Sequence, residues 1–106
     1  MTSEEVRQLV EQQIGGRWDL RNDHDCDLRK CLVVPERKQY LDPDNEYQEI
    51  ELWLVLEEDP DTRNGYKIIY DEKEGMFGLA TPGTEKDRRP IFIGYYGDFL
   101  DAYMSM

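Results

Sequence analysis

His24, Cys26 and Cys31 lie close together and are the only histidine and cysteines in the chain. Those residue types could hold zinc or run thiol chemistry. Structural zinc sites take four ligands, usually as two close pairs. Here a fourth nitrogen or sulfur ligand does not exist, and Asp23, Asp25 and Asp27 read equally well as a solvated acidic loop. As a nucleophile Cys26 would need a lowered pKa, whereas acidic neighbours push a thiol upward. The reading that follows is two reduced structural thiols with no metal, no cofactor and no catalytic residue. A small metal- or thiol-dependent enzyme built on His24, Cys26 and Cys31 is the alternative.

Other chemistry finds less support. The turns Asp42-Pro43-Asp44 and Asp59-Pro60-Asp61 suggest calcium, but in the EF-hand pattern their glycine positions fall on Tyr47 and Asn64 and their closing glutamate positions on Trp53 and Tyr70. Gly75, Gly78, Gly94 and Gly97 form no phosphate loop. Carboxylates are so abundant that any pair could be offered as acid and base, which discriminates nothing.

The abundance itself carries information. The chain of 106 residues has 13 basic and 24 acidic side chains, a net charge of −11. Between Gln39 and Thr62 there is no Lys or Arg, against nine acids. Such a stretch creates a negative field that disfavours direct nucleic-acid binding and favours a basic protein partner. An acidic mimic of nucleic acid is a further alternative on the same charge.

The elements that must position these residues are marked by local signals. Thr2 with Glu5 forms a capping-box pattern, Val6, Leu9, Val10 and Ile14 share a helical face, and Gly15-Gly16 stops the run, which predicts a helix over 3–14. Residues 17–30 show no period and read as irregular. A short apolar run at 31–34 ends at Pro35 and can resume over 36–41. After the turn Asp42-Pro43-Asp44-Asn45, residues 47–56 alternate, with Ile50, Leu52, Leu54 and Leu56 on one face. Strands over 66–71 and 76–80 flank the tight turn Lys73-Glu74-Gly75, and a last strand over 91–95 precedes Gly97-Asp98, a cap for a short helix.

This order predicts one α+β domain over residues 1–106: a two-layer sandwich with a mainly antiparallel sheet of about five strands, an N-terminal helix and a short C-terminal helix. The helices are expected on the aliphatic face of the 47–56 strand. The opposite face then carries Glu51, Trp53, Val55 and Glu57, an aromatic centre with an acidic rim, and is the expected partner-binding surface. No apolar run is long enough to cross a bilayer and the N-terminus lacks a signal-peptide pattern, so a cytoplasmic location is expected.

The C-terminal pattern IFIGYYGDFLDAY, a strand, a Gly-aromatic-aromatic-Gly turn and a short helix, together with the strands before it, resembles small uncharacterised bacterial α+β proteins. Some proteins of that kind are immunity proteins that neutralise toxins encoded beside them. The resemblance is one of layout over the last half of the chain and assigns no residue. It implies a non-catalytic inhibitor or protein-binding module.

Overall fold

The computed structural model describes residues 1–106. Helix α1 spans Ser3–Ile14, and its first turn is closed as the capping box requires: Glu5 N donates to Thr2 Oγ1 at 3.2 Å and Thr2 N donates to Glu5 Oε1 at 2.9 Å. Gly15, at φ 60°, ends it in the left-handed conformation. The segment that follows is irregular up to a single helical turn, α2, at Leu28–Cys31. Five strands come next, β1 at Leu32–Asp42, β2 at Gln48–Glu57, β3 at Lys67–Asp71, β4 at Met76–Thr81 and β5 at Ile91–Gly97, with a 3-10 turn at Pro43–Asn45 between the first two. Helix α3, Phe99–Ser105, starts at Asp98, whose side chain accepts from Asp101 N. No helix is long and apolar enough to cross a membrane.

The α+β composition and the two terminal helices are as expected, but the two-layer sandwich is not what forms. Sequential strands pair antiparallel, and β1 then meets β5 in parallel at Leu41 and Ile91, so the sheet closes into a small barrel. Leu41 N donates to Pro90 O at 2.9 Å beside that junction. Closure needs curvature, which register shifts supply in β1 near Pro35, in β2 between Leu54 and Leu56, and twice between β4 and β5. Pro35 thus marks an irregularity inside one long strand, where the sequence suggested a strand end.

A closed sheet has an inside and an outside, and here both are buried. Tyr40, Leu52, Ile69, Ala80 and Phe92 pack together within the barrel. Trp53, Val55, Ile68, Tyr70, Phe77 and Leu79 form the outer cluster, covered by Val6, Val10 and Ile14 of α1 and by Phe99, Ala102 and Tyr103 of α3. The helices therefore cover the face opposite to the one expected. Of the aliphatic face of β2, Leu52 and Ile50 had no need of helices, because the barrel's other strands enclose them, while Leu56, beyond the register shift, joins the outer cluster.

Candidate functional site

The four residues expected to form a partner-binding face are placed in three different environments. Trp53 and Val55 are buried in the outer core at 7% and 1% exposure. Above the Trp53 ring sits the Arg37 guanidinium, 4.7 Å from its centroid, while the indole Nε1 donates to Glu72 Oε1 at 3.2 Å. Glu57 is buried as well, accepting from Lys67 Nζ at 2.7 Å and Arg63 Nε at 2.9 Å. Only Glu51 is exposed, beside Gln39 and Arg37. The exposed aromatic-centred sheet face is therefore corrected: strand alternation does put Trp53 and Val55 on one side, but α1 and α3 occupy that side.

The structure does bring His24, Cys26 and Cys31 into one neighbourhood, and it adds Glu58, which lies far from them in sequence. His24 Nδ1 is 2.6 Å from Glu58 Oε2, a spacing at which the imidazole N–H donates to the carboxylate. The other oxygen of Glu58 accepts from Tyr66 N at 3.0 Å, and its main-chain carbonyl accepts from the Cys31 thiol. Asn22 organises the same loop. Its side chain accepts from His24 N and Cys26 N and donates to Tyr103 O at 2.8 Å, while the Tyr103 hydroxyl lies between Leu20 O and Cys26 O and shares its one proton with them. These contacts tie the 17–30 segment to β2 and α3.

As a chemical site the neighbourhood is poor. Both thiols are buried, and burial, then the hydrogen bond with Cys31, pushes the Cys26 thiol well above its ordinary value. A nucleophile needs the opposite shift. No three His, Cys, Asp or Glu side chains converge where they could hold a metal ion.

An exposed aromatic does stand among acids, one turn earlier in the chain. Tyr47 is 61% exposed, more than any other aromatic residue, at the tip between β1 and β2. Glu46 and Tyr47 are both left-handed, at φ 56° and 58°, a conformation that costs non-glycine residues about 1 kcal/mol or more each. Tyr47 N donates to Asp42 O at 2.9 Å and so fixes the turn. Asp44, Glu46 and Glu49 are exposed near it in the chain, Glu49 paired with Arg89. Tyr47 was legible only as the first residue of an alternating strand; its true signal is the preceding Asp-Pro-Asp-Asn turn, which carries it beyond the paired region.

No protein-family model matches the chain, and neither a curated protein nor a solved structure matches it.

Proposed function

We propose that this chain is a non-catalytic protein-binding module of the immunity-inhibitor kind, which engages a basic protein partner through the acidic β1–β2 tip with Tyr47 as its apolar anchor. The observation that carries the reading is the exposed Tyr47 ring, held out by two consecutive left-handed residues inside the base-free stretch. Backbone strain of this sort persists where the surrounding structure enforces it, and it concentrates at sites of recognition. A tyrosine buries a large amphipathic area on binding at small entropic cost, and the acidic rim steers a cationic surface towards it. The burial of both thiols, with Cys26 held in its protonated form, argues against the thiol-enzyme alternative.

The test is a binding measurement with the purified product of the adjacent gene, since an immunity partner is encoded beside its inhibitor. Tyr47→Ala should raise the dissociation rate, with a loss of affinity of about tenfold or more. Asp44→Lys with Glu46→Lys should slow association and weaken its salt dependence. If the adjacent product does not bind, or binds all variants alike, the proposal fails.

A further inference from the structure

Tyr40 is fully buried, yet its hydroxyl has no hydrogen-bond partner, and it is the one buried side-chain polar atom left in that condition. Natural structures seldom leave such a group unmade without a second party to complete it. Burial and the nearby Glu57 keep the hydroxyl protonated and so able to donate. Tyr40 borders a cavity of about 430 Å³, where the barrel interior opens between the β2–β3 and β4–β5 loops. That volume lies within the usual range for small-molecule sites.

The cavity is positive in a strongly negative protein. Lys38, Arg63, Lys67 and Arg88 line it, against Glu57 and Glu85. Lys67 and Arg63 are both engaged by Glu57, whereas Lys38 and Arg88 enter no ion pair. Arg88 is carried by a loop that is hydrogen-bonded to itself. A Cβ on Gly83 would lie 2.4 Å from the carbonyl oxygens of Asp87 and Arg89, Thr84 N donates to Asp87 O at 2.7 Å, and Arg89 ties Asp87 to Glu49. We propose that this barrel mouth binds a small phosphate monoester, its phosphate held by Lys38, Arg88 and the Tyr40 hydroxyl. The surplus of two positive charges matches a phosphate monoester, which is close to dianionic at neutral pH. Guanidinium and ammonium groups are the usual phosphate donors. The rest of the lining is polar apart from Leu54 and two prolines, which suits a hydroxylated body over an apolar one.

Calorimetric titration with glucose 6-phosphate and with inorganic phosphate tests the assignment, with glucose and succinate as controls. The phosphates should bind and glucose should not. Lys38→Ala with Arg88→Ala, both away from the core, should raise Kd roughly tenfold or more. Tyr40→Phe should weaken binding while leaving the melting temperature of the free protein unchanged or higher, because it removes an unpartnered polar atom. Absence of binding by both phosphates at millimolar concentration, or unchanged affinity in the double variant, overturns the site. Succinate binding as tightly as glucose 6-phosphate overturns the phosphate assignment.

Discussion

Single side chains in this protein are decided by what stands over them, and Trp53 is the clearest case. Its indole is sealed by Arg37 and by Glu72, which also accepts from Arg37 at 3.0 Å and from the terminal ammonium at 2.8 Å. The terminal ammonium, then the Trp53 N–H, hold the Glu72 carboxyl below its ordinary value of 4.5. A depressed acid contributes stability that is present above its unfolded pKa and disappears as pH falls through the lower folded value. Tryptophan fluorescence followed during acidification should therefore show an inflection below pH 4.5 that is absent in Glu72→Gln. Identical profiles for the two proteins would show that Glu72 does not govern the Trp53 environment.

At the scale of elements, the strands are held in a barrel by a few positions where backbones come unusually close. Gly78 on β4 is one: a Cβ there would lie 2.3 Å from Gly94 O on β5. Gly94 is the opposite case, since a Cβ added to it meets nothing within 4 Å. Gly78→Ala should therefore force β4 and β5 apart and cost about 2 kcal/mol, while Gly94→Ala should stay within about 0.5 kcal/mol of wild type. Urea denaturation of the two variants makes the comparison, and equal stabilities would mean that the β4–β5 approach is not a constraint on closure.

For the molecule as a whole, the inner and outer clusters are two sides of the same strands. Leu52 and Trp53 are adjacent in β2, as are Ile68 and Ile69 in β3, and each pair divides between the clusters. Neither core can come apart while the other keeps its strands, so unfolding should be one cooperative transition. Far-UV circular dichroism, which reads the sheet, and tryptophan fluorescence, which reads the outer core, should give the same midpoint. Leu54→Asp, which places a charge at a position 1% exposed, should abolish both signals together. Two separated midpoints would count against this coupling.

Much of the local architecture was legible in the residues. The Thr2–Glu5 box, the Gly15 stop, the Asp98 cap and the Gly75 turn are local contacts, and each sits where its pattern predicts. The alternation of β2 was equally plain. Which of its faces met water was not, because a period of two defines two sides and is silent about what covers either. Closure depends on Leu41 meeting Ile91, a pairing between distant parts of the chain, and together with the docked helices it turned a half-exposed strand into one buried on both sides. Docking of α1 and α3 withdrew Trp53 and Val55 from the surface, Lys67 and Arg63 enclosed Glu57, Tyr47 stayed outside, and closure gathered Lys38, Tyr40 and Arg88 around one opening. Local sequence determined the elements through contacts a few residues apart; tertiary structure decided the surface, because exposure depends on every element packed against a residue.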